Sequence, residues 1–188
     1  MQKKIPTIYY FVSDINLTDL SKLGNNINII YRNYKKKILI KDLLKLKKKC
    51  KTSKRQLFIS NNIKIALKYN LNGIYIPSFN RKINYISPFS LPKNFKIIGS
   101  AHNLQEIQIK KKQGCEEIFL SPLFKTKKKI NYLNIYNFNK LSFDKKIKYI
   151  ALGGINEFNY KLLKLTKSVG FASISWIKKN GLRKLRPF

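Results

Sequence analysis

Eight short apolar runs recur along this chain, and their spacing restricts its fold more than any other feature. They fall at 8–13 (IYYFVS), 27–32 (INIIYR), 57–60 (LFIS), 73–76 (GIYI), 96–100 (KIIGS), 116–121 (EEIFLS), 147–152 (IKYIAL) and 170–174 (GFASI). Most are continuous runs rather than alternating ones, the pattern of strands covered on both faces. Segments of helical character separate several of them. Residues 38–50 carry Leu39, Leu43, Leu44 and Leu46 among lysines, and 62–70 follow the third run. Asn103 precedes LQEIQIKKKQ with Glu106 three places on, an N-cap and its capping partner, and Gly114 stands where helices stop. Asn156 likewise precedes EFNYKLLKLTKSV, which predicts a helix running to Gly170. Strand alternating with helix gives parallel pairing, and eight such units give a closed (β/α)8 barrel of the TIM type.

The expected organisation is one compact barrel domain over residues 1–188, with a basic tail from about 178. Its 188 residues lie below the usual lower size of that barrel, about 200. The stretch 77–95 (PSFNRKINYISPFSLPKNF) contains three prolines and no helical pattern, and reads as an irregular crossover after the fourth strand. An open flavodoxin-like sheet with fewer strands is the alternative architecture.

Composition narrows the function. The net charge is +32, from 40 Lys and Arg against 8 acids. Only five of the forty are Arg, while Asn occurs 20 times and Ile 27 times. Lys, Asn and Ile are what A- and T-rich codons encode, so an AT-rich genome accounts for the charge, with Lys filling solvated positions. A nucleic-acid surface favours Arg for bidentate contacts, so nucleic acid is not the expected partner. A field of this sign still attracts phosphate and pyrophosphate ligands. Two cysteines, Cys50 and Cys115, fit a reducing, cytoplasmic setting. One histidine, His102, leaves little room for zinc chemistry or for a Ser-His-Asp hydrolase. No apolar run reaches the ~18–20 residues of a membrane span, and MQKKIPTIYYFVSD does not read as a signal peptide.

In such a barrel, function lies at the C-terminal ends of the strands. Here those ends carry Ser13 and Asp14, Arg32, Ser60 and Asn61, residues 76–80, Ser100 to His102, residues 121–129, Gly153 and Gly154, and Ser173 to Ser175. The set is hydroxyls, amides, glycines and cations with almost no carboxylates. It suits anion binding rather than acid/base work by paired acids. Gly153 and Gly154 close a strand before Asn156, a place where backbone can approach a phosphate, with Ser173 and Ser175 beside it. A tight turn that needs glycine is the alternative reading of the same pair. The run SPLFKTKKK places Thr126 and Lys125, Lys127, Lys128 and Lys129 in one basic loop, suited to clamping a pyrophosphate. Arg32 is a scarce arginine at a strand end, placed for a bidentate phosphate contact. His102 reads first as a satisfied loop histidine.

Taken together and in order, these pieces resemble the thiamine phosphate synthase/TenI family over roughly residues 8–177. SPLFKTKKK is similar to the family's Gly-Pro-x-Phe-x-Thr-x-Thr-Lys loop, and IALGGIN to its Ala-x-Gly-Gly-Ile-x segment. GFASISWI resembles its final strand, IIGSAHNLQE its Gly-x-Ser-x-His…Glu segment, and LFISNNIKIALKYNLNGIYIPSFN its Asn-Asp-Arg…Ala…Gly-x-His-x segment. The resemblance implies a (β/α)8 barrel that joins hydroxymethylpyrimidine diphosphate to a thiazole phosphate and releases pyrophosphate. It implies small phosphorylated substrates as the partners. By the same resemblance Arg32, Ser100 and Lys129 contact the substrate diphosphate, and Thr126, Gly153, Gly154, Ile174 and Ser175 cradle the thiazole phosphate. It assigns no catalytic acid or base.

The chain departs from the family pattern at defined positions. Ile30 stands in place of Gln, Tyr34 in place of Lys, and Lys128 in place of the loop's second Thr. Pro122 stands where a TenI-type tautomerase has its histidine. Asn61 and Asn80 stand where the family has the two aspartates that hold magnesium. An Asn carbonyl can ligate Mg²⁺ but brings no charge. A family member that binds a phosphorylated thiazole or pyrimidine without coupling is the alternative function.

Overall fold

The eight apolar runs form eight strands: β1 (Thr7–Val12), β2 (Ile27–Tyr31), β3 (Leu57–Ser60), β4 (Gly73–Ile76), β5 (Lys96–Ala101), β6 (Glu117–Leu120), β7 (Lys148–Leu152) and β8 (Gly170–Ala172). This computed structural model describes residues 6–14, 19–24, 26–34, 38–126 and 130–180. Each strand pairs in parallel with the next, and β8 returns to β1 to close the barrel. Closure rests on three register pairs, Thr7 with Gly170, Ile8 with Phe171 and Tyr9 with Ala172. The closed barrel replaces the open-sheet alternative.

The strands are apolar on both faces because both are buried. One set of side chains fills the bore: Tyr9, Phe11, Ile30, Phe58, Tyr75, Ile98, Phe119, Ile150 and Ala172. Their rings meet edge to face, Tyr9 against Phe119 at 5.0 Å and Phe11 against Tyr75 at 5.2 Å between centroids, the arrangement aromatic quadrupoles prefer. The alternate residues, among them Ile8, Ile29, Ile59, Ile74 and Ile118, face outward into the core beneath the helices. Within the bore the Tyr9 hydroxyl donates to Glu117 Oε2 at 2.6 Å. Burial first, then the neighbouring Glu117 carboxylate, pushes the Tyr9 phenol far above its ordinary range.

Among the described residues the α-helices are α1 (Ile40–Thr52), α2 (Ile63–Lys68), α3 (Leu104–Lys112), α4 (Asn134–Leu141) and α5 (Ser175–Asn180). On α1 the buried stripe is Leu43, Leu46 and Cys50, while Leu39 and Leu44 stay exposed. Residues 43, 46 and 50 share one face of a 3.6-residue period, and Leu44 points elsewhere. Asn103 caps α3 as expected: its Oδ1 accepts from Glu106 N at 2.9 Å, while Glu106 Oε2 reaches one residue past the cap and accepts from His102 N at 2.8 Å. Gly114 ends that segment at φ +79°.

The crossover from β7 to β8 differs from expectation. Instead of an α-helix after Asn156, it holds a 3-10 segment over Tyr160–Leu165. Only Leu163 of it is buried, so no apolar stripe draws the segment into a longer helix. The segment 77–95 is irregular as expected, with one short 3-10 turn at Ile83–Tyr85. The described part of the β1–β2 crossover holds another at Leu20–Lys22. The crossovers from β4 to β5 and from β7 to β8 hold no α-helix, which shortens the chain needed to close eight strands.

Single side chains tie the irregular stretches down. Arg55 is buried and its guanidinium donates to the carbonyls of Leu20, Leu23, Gly24 and Ile27. It ties the β1–β2 crossover to the segment that leads into β3. Lys has one ammonium and no fork, so it cannot serve four divergent carbonyls. Arg55→Lys is expected to destabilise the fold by about 2 kcal/mol, measured as a lower midpoint in chemical denaturation; an unchanged midpoint would contradict this role.

Candidate active site

Closure brings the C-terminal strand ends into one mouth. Arg32 follows β2, and its guanidinium lies over the Phe11 ring, 4.5 Å from the centroid. A cation in that position is held by the ring's negative face. Its charge reaches the Tyr75 and Tyr34 phenols and favours their ionised forms, although burial is the larger influence and raises both; Tyr75 is pushed up to about 12. The Tyr75 hydroxyl donates to Ser100 Oγ at 2.8 Å, and Ser78 N donates to the same oxygen at 3.1 Å. Arg32 and Ser100, predicted from sequence, therefore stand around a shared Tyr75. Tyr75 was not among the predicted site residues, because an apolar run gives no sign of which side chain reaches the rim.

On the next side of the mouth, Tyr34 hydrogen-bonds Ser60 Oγ at 2.8 Å. Its ring meets Phe79 edge-on at 5.4 Å. Both rings are more than half exposed, Tyr34 at 54% and Phe79 at 62%. This is a solvent-facing aromatic pair beside a guanidinium.

Asn61 and Asn80 come together at the ends of β3 and β4. Asn80 Nδ2 donates to Asn61 Oδ1 at 2.7 Å, and Asn80 Oδ1 accepts from Lys82 N at 3.1 Å. Asn61 adopts φ +55°, which Asn tolerates better than most residues. A cleft of about 380 Å³ opens beside the pair, lined in part by Asn62, Lys64, Lys82 and Tyr85. The magnesium ion implied by the resemblance would be held here. The residues do not fit it: both amide oxygens already accept from protein N–H groups, and the pair brings no carboxylate. Among the described residues no three His, Cys, Asp or Glu side chains converge on a metal-sized site.

The loops after β6 and β7 are latched to each other. Leu123 N donates to Leu152 O at 2.8 Å, and Phe124 N to Gly153 O at 3.1 Å. Gly153 and Gly154 sit at φ +93° and +74°. A Cβ on Gly153 would lie 2.7 Å from Pro122 Cβ, and one on Gly154 would lie 2.6 Å from Phe124 O. The glycines are thus required by the contact of one loop with the other. Asn159 Nδ2 donates to Gly154 O at 2.9 Å, and Asn156 Oδ1 takes Phe158 N at 2.9 Å. Asn156 caps this turn rather than an α-helix. Ser173 Oγ donates to Ile155 O at 3.1 Å, so Ser173 braces the loop, while Ile174 and Ser175 at the start of α5 are exposed. Thr126 is half-buried at the end of the described part of the β6 loop. Lys127, Lys128 and Lys129, and the basic tail from residue 181, lie outside the described residues.

His102 is engaged structurally. Its Nδ1 lies 2.5 Å from the Ser121 carbonyl and 3.2 Å from Ser121 Oγ, so the Nδ1 proton is directed to that carbonyl. Lys110 on α3 and Gln113 at its C-cap grip the segment around Asn80, and neither is marked by a local pattern. A lysine within a lysine-rich run carries no local mark of burial.

Comparison with known proteins places these features in one family. A profile of the family described as thiamine monophosphate synthase (TMP-TENI) matches residues 19–177. The chain is 34% identical over 118 residues to a thiamine-phosphate synthase of Prochlorococcus marinus, covering 61% of this chain and 34% of that protein. It is 31% identical over 137 residues to a thiamine-phosphate synthase of Clostridium acetobutylicum, covering 71% of this chain and 64% of that protein. The chain thus spans between about a third and two thirds of the length of these curated relatives. The solved thiamine phosphate pyrophosphorylase of Pyrococcus furiosus superposes with a TM-score of 0.70 at 18% identity, covering 96% of this chain and 94% of that one. That likeness is one of fold. No helix among the described residues is long and apolar enough to cross a membrane.

Gly154→Ala is expected to destabilise the barrel by about 2 kcal/mol through the strained φ and the clash with the β6 loop. Thermal unfolding followed by circular dichroism checks this; an unchanged midpoint would show that the latch between the two loops is dispensable.

Proposed function

Because this chain belongs to the thiamine monophosphate synthase family, we propose that it couples hydroxymethylpyrimidine diphosphate to a thiazole phosphate and releases pyrophosphate. A C–O bond to the diphosphate breaks, and its electron pair leaves with pyrophosphate. A bond to the thiazole forms at the same benzylic-type carbon. Such a reaction needs two ligands held in line and a leaving charge stabilised, with little proton transfer.

The observation that carries this reading is the mouth around Arg32. A guanidinium braced on Phe11, the Tyr75–Ser100 hydroxyl pair and the exposed Tyr34–Phe79 aromatic pair stand at the catalytic end of a closed barrel. The guanidinium suits the diphosphate, and the aromatic faces suit a planar heteroaromatic ring. In this reading Arg32, Ser100 and Lys129 contact the diphosphate. Thr126, Gly153, Gly154, Ile174 and Ser175 form the thiazole-phosphate side, with the latched loops after β6 and β7 shaping it.

The test is a coupling assay with both phosphorylated substrates, with thiamine phosphate as the readout. Product well above the uncatalysed level is expected. Arg32→Ala should lower kcat/KM by about thirtyfold, the worth of one charged hydrogen-bonding contact, while the circular dichroism spectrum stays unchanged. No product from a folded chain, beside an active family synthase in the same buffer, would overturn the reading. Ligand binding without product would identify a relative that binds but does not couple.

A further inference from the structure

The corner formed by Asn61 and Asn80 is filled from within. Asn61 Oδ1 and Asn80 Oδ1 each accept from a protein N–H. The backbone carbonyl of Asn80 accepts twice more, from Lys110 Nζ at 2.7 Å and from Gln113 Nε2 at 3.0 Å. Gln113 Nε2 also donates to Lys82 O at 2.9 Å, and Gln113 Oε1 accepts from Lys110 Nζ at 2.8 Å. Three oxygens that a hard cation would seek are therefore turned toward nitrogen donors.

Lys110 is the unusual member of this group. Its side chain is fully buried, at 0% exposure, which lysines rarely are without an ionic partner. Its two hydrogen-bond acceptors are neutral. The charged and titratable groups around it are Glu106 one turn earlier on α3, Cys115 beyond the helix, and Arg81 and Lys82 on the facing loop. Glu106 is engaged by Arg81 at 3.9 Å and by the His102 N–H, so it is shared rather than dedicated to Lys110. A fixed positive charge thus stands directly behind Asn80, where a low local dielectric strengthens its field.

We propose that this corner carries its cation within the chain: the Lys110 ammonium, locked between the Asn80 carbonyl and Gln113, takes the place of a divalent ion, and the Asn61–Asn80 pair binds none. Lys110 acts here as a positioning residue. It holds Asn80 against Asn61, and its charge favours an anion at the adjacent mouth without touching it. This rests on the diphosphate reading above for the identity of the anion, but the metal part of it does not.

Burial pushes the Lys110 ammonium down to about 8, with Cys115 and Glu106 opposing. The charge is present at neutral pH and is lost as pH rises through about 8. The stability effect has the opposite sign. Because the folded value lies below the unfolded one, about 10.4, the unfolded chain binds more protons in that window. Stability from this group therefore rises with pH above 8 while the anion-holding charge disappears.

The test uses the full chain. Titration with Mg²⁺ or Mn²⁺ alone, by calorimetry and thermal shift, should give no saturable binding. The doubly substituted Asn61→Asp/Asn80→Asp chain should be destabilised without metal and should recover its midpoint with Mg²⁺. Saturable binding by the unaltered chain that Asn61→Ala abolishes would overturn the proposal. Inorganic pyrophosphate affinity is then measured in metal-free buffer. Lys110→Met should weaken it about tenfold, Lys110→Arg should retain it, and the decline above pH 8 should be absent in Lys110→Arg. Equal affinity of the unaltered chain and folded Lys110→Met would also overturn the proposal. Failure of the unaltered chain to bind pyrophosphate would refute the diphosphate reading instead, and the metal titration alone would then decide the corner.

Discussion

Everything at the mouth depends on the closure of β8 onto β1. Three register pairs join them, and the bore they close is packed with the rings of Tyr9, Phe11, Phe58, Tyr75 and Phe119 beside the branched aliphatics Ile30, Ile98 and Ile150. Phe11 illustrates the dependence. It packs against Tyr75 and Phe119 inside the bore and presents a ring to the Arg32 guanidinium. A barrel that failed to close would lose the core and the placement of its principal cation together.

The economy of the fold has local consequences. Irregular stretches of crossover leave backbone carbonyls and loops to be tied down by single side chains. Arg55 does this for the crossover between β1 and β2, and Lys110 with Gln113 does it for the segment after β4. In both places a cation is placed inside the protein on carbonyl oxygens. In a chain with 40 basic residues and 8 acidic ones, buried cations find carbonyls because carboxylates are scarce. The same scarcity shows at the mouth, whose polar contacts described above are made by hydroxyls, amides and a guanidinium.

The candidate site was partly legible before the fold. Arg32 and Ser100 could be singled out because strand ends are where such barrels work, and because arginine is rare here. Gly153 and Gly154 were visible as a backbone requirement, but their reason was not. It lies in Pro122 and Phe124 of another loop, which no local pattern reveals. Tyr75, Lys110 and Gln113 were invisible, since a tyrosine in an apolar run and a lysine in a basic helix look like any others.

What the sequence determined by itself is the set of eight strands, their parallel sense, and the capping of α3 by Asn103. These follow from short-range rules: strands buried on both faces read as unbroken apolar runs, and an N-cap bonds within the first turn of its helix. Tertiary structure alone decided that residues 160–165 form a 3-10 segment and that Asn61 bonds Asn80. It also decided that Tyr34 reaches Ser60 and Phe79, and that Lys110 is buried behind the mouth. Each of these joins elements distant in sequence or depends on how much apolar surface a neighbour offers. Such contacts exist only after the barrel has set its register and closed.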